Sequence, residues 1–362
     1  MDIQLDVIPL SQWGIPYDGV FIISGPCSAE NPRQLMQTAQ GLARLRIHMM
    51  RAGIWKPRTR PGSFEGVGSK GLAWLKAAGS AVGLPVTVEV AKPAHVEKCL
   101  QHSIDALWIG ARTTTNPFAV QELADSLRGV DVPVLVKNPI SPDLSLWIGA
   151  LERINQAGVR KLAAIHRGFC SFNEKVYRNK PEWWIPIELR RKAPNLPIFC
   201  DPSHICGKVE LLEGIIRKAM DLLFDGLMIE CHIDPASALS DAEQQVTPER
   251  LGELLKALHV SQVSSDDPQY QLKITHLRNT IDELDQQIID LLAQRMEISG
   301  DIGRLKKLRN ISILQPERWQ KMLQERISTG RAMGLDEHFI LRLYQTIHEE
   351  SIRRQELAKL EE

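Results

Sequence analysis

The sequence predicts an α/β fold, a (β/α)8 or TIM barrel over residues 1–260, followed by an all-helical domain over 270–362. Three observations carry this. Eight short, nearly continuous apolar runs alternate with helix-compatible stretches up to about residue 255. Each run carries a polar or charged residue at or just past its C-terminal end. Beyond about residue 270 the strand signal stops, and a 3.6-residue apolar period takes over.

In chain order the runs are VFIISGPCS, IHMMRAGIWKP, LPVTVEV, ALWIGA, PVLVKN, LAAIHRG, PIFCDPS and GLMIECH. Near-continuous apolar runs suit parallel strands covered on both faces. Helical stretches such as NPRQLMQTAQGLARL and KVELLEGIIRKAM lie between most of them. A doubly wound open sheet is the rival, but it normally carries a glycine-rich phosphate loop after its first strand, and SGPCSAE is not one. The segment SQVSSDDPQ, residues 261–269, reads as a linker. After it, Ile274, Leu277, Ile281, Leu284, Ile288, Leu291 and Leu292 fall at helical spacing, and two further helices are expected at about 315–328 and 336–360.

Bulk properties narrow the function. The 362 residues hold 44 Lys+Arg and 44 Asp+Glu, which gives no electrostatic case for nucleic acid or an anionic membrane. No apolar run approaches the ~20 residues of a membrane span, and the start MDIQLD does not read as a signal peptide. The six cysteines have neither CxxC spacing nor disulfide-framework density, so reduced thiols in a cytoplasmic protein are expected.

Chemistry is expected where the runs end, because a barrel gathers its strand ends around one pocket. Those ends carry Cys27, then Arg51, Lys56 and Arg58, then Glu89, Arg112, Lys137, His166 with Arg167, Asp201 with His204, and Glu230. Six converging cations call for anionic ligands, phosphates or carboxylates. Cys27, His204, Glu230 and Asp241 are a thiol, an imidazole and two carboxylates, a set suited to Mn, Fe, Co or Zn. Cys231 and His232 are alternatives, although strand alternation turns Cys231 away from Glu230.

Taken together, SGPCSAE, RAGIWKPRTRPGSFEG, IGARTTTNP, LVKNP, IHRGF, CDPSH and GLMIECHIDPASALSDAEQQ resemble the 3-deoxy-D-arabino-heptulosonate 7-phosphate (DAHP) synthases, and most closely their compact subclass with an undecorated barrel. The resemblance implies condensation of phosphoenolpyruvate with erythrose 4-phosphate, the entry step of the shikimate pathway to aromatic amino acids. It places Arg51, Lys56, Arg112, Lys137 and Arg167 around phosphoenolpyruvate, with Lys56 also catalytic. It places Arg58 and Thr59 on the aldose phosphate, and Cys27, His204, Glu230 and Asp241 on a divalent metal ion. The related octulosonate 8-phosphate synthases resemble KANRSS where this chain has KPRT.

In the C-terminal part, Arg278, Arg295, Lys306 and Arg318 stand among apolar positions, and Ser351 and Gln355 lie one helical turn apart. Taken alone, these cations also fit surface side chains snorkelling from amphipathic helices. The stretches LRNTIDELDQQIIDLLAQRMEISGDIGRLK, QPERW and HEESIRRQ resemble the all-helical chorismate mutases. That resemblance implies a rearrangement of chorismate to prephenate without a cofactor, with all six residues binding the substrate and Lys306 and Gln355 at the ether oxygen. Trp319 and Gln315 stand where members of that family often have acids. The resemblance also implies a homodimer in which the long first helix lends Arg278 to its partner. A catalytically silent helical sensor is the alternative. Feedback by prephenate on the barrel is the expected regulation, and in the sensor alternative the signal is chorismate or prephenate.

Overall fold

A computed structural model describes residues 3–56, 62–172, 174–258 and 264–360. The chain divides into two compact units, residues 1–263 and 264–362.

In the first unit the eight apolar runs form eight strands: β1 (Phe21–Gly25), β2 (Met49–Arg51), β3 (Val86–Val90), β4 (Ala106–Ile109), β5 (Val134–Lys137), β6 (Leu162–His166), β7 (Ile198–Cys200) and β8 (Gly226–Glu230). All pair in parallel in sequence order and close into a barrel. The closing pair is β1 with β8, in a register that sets Gly25 opposite Glu230.

Alternation along the strands explains why the runs are apolar throughout. One set of side chains fills the barrel: Phe21 and Ile23, Met49, Ala106 and Trp108, Leu135, Ala163 and Ile165, Phe199 and Met228. The other set, including Ile22, Met50, Val88, Leu107, Val136, Ala164, Cys200 and Ile229, packs beneath the surrounding helices. Leu10 and Trp13, from a single 3-10 turn, join the inner cluster and cover the end of the barrel where the strands begin. Several helices start on matched signals. Asn31, Asp143 and Thr247 each accept a backbone N–H at a helix start, and Pro32 and Pro248 occupy first-turn positions.

The same alternation selects which residues reach the pocket. Counting on from the inner positions, Arg51, Glu89, Lys137, Asp201 and Glu230 all point inward at the strands' C-terminal ends. Gly25 is the matching position on β1. A Cβ there would lie 2.1 Å from the Arg51 carbonyl oxygen, so glycine is what lets β1 run this close to β2.

The second unit has three helices, Pro268–Leu308, Pro316–Ala332 and Glu337–Leu360. The first and third pack closely at Gly303, where a Cβ would come within 2.7 Å of Gln355 Cα. Much of the first helix's apolar face stays exposed in the single chain, including Leu277, Ile281, Leu284, Ile288 and Leu291. Among the described residues no helix is long and apolar enough to cross a membrane.

Candidate active sites

At the mouth of the barrel the charges are buried and largely answered by one another. Arg51 is 1% exposed, and its Nη1 lies 3.0 Å from Glu230 Oε1. Lys137 donates to Asp201 Oδ2 at 2.7 Å. Trp108 stands between these pairs, 4.8 Å from the Arg51 guanidinium and 5.9 Å from the Lys137 ammonium, while its indole N–H donates to Glu89. These contacts correct one expectation. The converging cations call for anionic ligands, yet Arg51 and Lys137 each already have a carboxylate of the same chain. Among the described residues, Lys56, Arg112 and Arg167 form no ion pair with an acid. Lys56 bonds to the Cys27 carbonyl at 2.9 Å and to its sulfur at 2.8 Å. Arg167 donates to the Asn179 side chain at 2.6 Å, and burial pulls its pKa down to about 10. Arg112, exposed on the one-turn helix Ala111–Thr114, adds to the positive field on Arg167.

His166 also departs from expectation. It follows Leu162 and Ala164 on the outer face of β6, so its ring lies among Trp147, Phe169, Trp183 and Phe224 rather than in the pocket. Burial there, with help from Arg167, lowers its pKa to about 3.

The metal-type residues converge from three directions. Cys27 follows β1, Glu230 ends β8, and Asp241 lies in the loop beyond. One ligand atom from each falls within 4.8 Å of the others. Cys27 Sγ is 3.1 Å from Asp241 Oδ2. His204 stands at the edge of this group, its Nε2 3.8 Å from Glu230 Oε1. Its Nδ1 lies 2.8 Å from one Asp201 oxygen and 3.0 Å from the other. A neutral ring donating there presents its Nε2 lone pair to the site. Burial holds the imidazole below its ordinary pKa, consistent with that neutral form. Burial and then the neighbouring Glu230 push the Cys27 thiol up to about 12. Burial favours the neutral acid for Glu230 and Asp241. Positive neighbours outweigh it, His204 when protonated and then Arg51 and Lys56 for Glu230, and Arg178 first for Asp241, and hold both carboxyls below the usual range. Glu230 Oε1 is buried and has no hydrogen-bond donor. That oxygen is ion-paired with Arg51 yet accepts no hydrogen bond among the described residues, and beside a thiol, a second carboxylate and an oriented imidazole it fits a borderline divalent cation. Arg58 and Thr59 lie outside the described residues. Cys231 is core, and His232 is buried 3.7 Å from Glu30.

In the helical unit, four of the six expected residues meet. Arg295 Nη1 hydrogen-bonds Ser351 Oγ, and Lys306 Nζ donates to Gln355 Oε1 at 3.0 Å. Burial, with Lys359 and Arg318 nearby, lowers the Lys306 pKa. Arg318 and Arg278 are exposed. The sequence reading missed His348, which stacks on Trp319 with ring centroids 3.9 Å apart. Its place three residues before Ser351 and seven before Gln355 was the available signal.

Comparison with known proteins follows the same division. Residues 17–265 match the DAHP synthetase I family. The chain belongs to that family. Residues 277–356 match chorismate mutase type II, so a domain of that family follows the first. Phospho-2-dehydro-3-deoxyheptonate aldolase of Thermotoga maritima is 35% identical over 237 residues, covering 66% of this chain and 68% of that protein. A crystal structure of the DAHP synthase of that name from Thermotoga maritima aligns with a TM-score of 0.62 at 33% identity, over 71% of this chain and 72% of the other. The bifunctional chorismate mutase/prephenate dehydratase of Escherichia coli K12 is 36% identical over 80 residues, 22% of this chain and 21% of that protein.

Proposed function

We propose that the barrel condenses phosphoenolpyruvate with erythrose 4-phosphate to give DAHP and phosphate, and that the helical domain converts chorismate to prephenate. The observation that carries the first activity is the cation set at the mouth, with Arg51 and Lys137 buried, Lys56 and Arg167 half-buried and Arg112 exposed. Arg51 and Lys137 flank Trp108, Lys56 lies beside Cys27, and Arg167 and Arg112 stand across the rim. In this reading those five hold the phosphate and carboxylate of phosphoenolpyruvate, with Arg58 and Thr59 on the aldose phosphate. The enol carbon attacks the aldehyde, water attacks the carbon bearing phosphate, and the phosphate leaves. The cations steady the negative charge as it redistributes. Lys56 is the catalytic candidate, because its ammonium lies nearest the proposed ion site. Cys27, Glu230, Asp241 and His204 would hold a divalent ion, which supplies Lewis acidity to the aldehyde oxygen when bound.

In the helical domain, Arg295, Arg318 and a partner's Arg278 would clamp the two carboxylates of chorismate in the reactive conformer. Lys306 engages the oxygen of the Gln355 amide, whose N–H donors then face away from the lysine. In this reading the Lys306 ammonium, and the Gln355 amide once it turns its N–H toward the substrate, donate to the charge building on the ether oxygen. The exposed Leu277, Ile281, Leu284, Ile288 and Leu291 surround Arg278 in sequence and support burial against a second copy of the chain.

One preparation assayed for phosphoenolpyruvate and chorismate consumption, with and without chelator, tests the reading. Chelation should abolish the first activity and spare the second. Loss of both, or of neither, would overturn the division. Feedback belongs to the same proposal: prephenate held in the helical pocket lowers synthase rate, with residues 261–269 as the connection. Binding linkage must then be reciprocal. Prephenate should inhibit the intact synthase and fail to inhibit Arg318→Ala. Equal inhibition of both would refute the route, and so would no inhibition of either.

A further inference from the structure

Gln244 and Gln245 have no part in the site described so far, yet both are buried, 1% and 2% exposed, beside its ligand set. They are consecutive, and their side chains diverge. Gln244 Nε2 donates to Glu230 Oε2 at 2.6 Å, and its Oε1 accepts from Arg178 Nη1. The same guanidinium nitrogen donates to Asp241 Oδ1 at 3.0 Å. Gln245 Oε1 accepts the Cys27 backbone N–H at 2.8 Å, and its Nε2 donates to the Ser240 carbonyl at 2.9 Å. One glutamine thus ties Glu230 to Asp241 through Arg178. The next ties Cys27 to the residue before Asp241.

Two features show that this arrangement is constrained. Asp241 has φ 50° and ψ 42°, a left-handed conformation uncommon for a residue with a side chain. The contacts from Arg178 and Gln245 hold the chain there, with the carboxylate turned toward Cys27. The chemistry at 244 is also specific to an amide. Glutamine donates to a carboxylate from one end and accepts from a guanidinium at the other. Glutamate could not donate while ionised and would set a second negative charge against Glu230. Leucine would leave a Glu230 oxygen without its donor.

We propose that Gln244 and Gln245 are positioning residues that set the spacing of Cys27, Glu230 and Asp241 for a divalent cation, with Arg178 as the link between the two carboxylates. This rests on the metal reading of those three residues. Neither glutamine touches substrate or ion. Each acts through the atoms that do, as partners of metal ligands commonly do.

The test uses the full-length protein stripped of metal and titrated with Co²⁺, followed by the near-ultraviolet thiolate-to-cobalt absorption band, and with Mn²⁺ by calorimetry. Wild type should develop the band, and Cys27→Ser should lack it. Gln244→Leu and Gln245→Leu should each bind either ion about 10–100-fold more weakly. Their synthase kcat should recover to within a few-fold at saturating metal, with mutase rate and circular dichroism unchanged. If a leucine variant fails to fold, Arg178→Gln, at a half-exposed position, replaces it and should show the same weakening. Wild-type affinity and band in folded variants would overturn the positioning role. No band in wild type, or a full band in Cys27→Ser, would instead overturn the metal reading beneath it.

Discussion

The two sites handle positive charge in opposite ways. At the barrel mouth Arg51 and Lys137 are almost fully buried, each against a carboxylate of the same chain. In the helical domain Arg295 and Lys306 meet a hydroxyl and an amide, and Arg278 and Arg318 lie open to solvent. The barrel's charges are therefore part of what holds its fold together, because each would be stranded in low dielectric without its partner. The helical cations are uncommitted until a dianion, or a second chain, arrives. Removing a charge should cost stability and activity at the first site, and activity alone at the second.

The largest expected effect tests the first half of that contrast. Glu230→Ala strips Arg51 of its carboxylate and should destabilise the barrel by about 3–5 kcal/mol, along with loss of synthase activity. The measurement is the urea midpoint of the synthase transition, and an unmoved midpoint would break the comparison. Lys306→Ala tests the second half. It should lower mutase kcat by about 10²–10³-fold with little change in melting temperature, since the ammonium acts on developing charge. A normal rate would put the pocket elsewhere, and a large loss of stability would make this site like the first. Leu284→Glu places a charge on the exposed apolar face. It should shift the sedimenting species toward monomer and lower mutase activity with it, and an unchanged dimer would show that this face is not the contact. The smallest effect comes from His166. Its folded pKa, about 3, lies below the ordinary value of 6.5. The unfolded chain therefore takes up a proton in the window between, and stability falls as pH drops from about 6.5 toward 3, by at most ~1.4 kcal/mol per pH unit. His166→Phe should flatten that slope in urea titrations between pH 7 and 5, and an equal slope would assign the acid sensitivity to other groups.

The barrel was legible because parallel strands buried on both faces leave a simple trace, an apolar run stopped by a polar residue. All eight strands fall within the eight quoted runs. What the trace lacks is phase. His166 ends its run as Glu230 does, but alternation places one outside the sheet and the other inside, and only pairing through the whole strand tells them apart. Arg178 and the two glutamines were missed for a different reason. Arg178 meets Asp241 and Gln244 across more than 60 residues, and a polar side chain in a loop gives no sign of such a partner. In the helical domain the apolar period predicts a helix, and a helix forms there with Leu277, Ile281, Leu284, Ile288 and Leu291 exposed in the single chain; a sequence does not say whether its own chain or another covers such a face. His348 shows the opposite case, since its spacing from Ser351 and Gln355 was visible, and it went unread because histidine on a helix is so often unremarked surface.

The seam between β1 and β8 gives the barrel site a consequence for folding. Cys27 and Asp241 are 214 positions apart and touch only across that seam. A ligand set built there does not exist in any partly wound barrel, however complete the other seven strand pairings. Such distant closure is slow relative to local pairing. An ion held by the finished set would act as a clasp, adding about 2.7 kcal/mol of stability when present at 100 times its dissociation constant. The time course of ion uptake during refolding would then read out one event, the meeting of the chain's first strand with its last. Damage that keeps those two strands apart should erase ion binding all at once rather than weaken it by degrees.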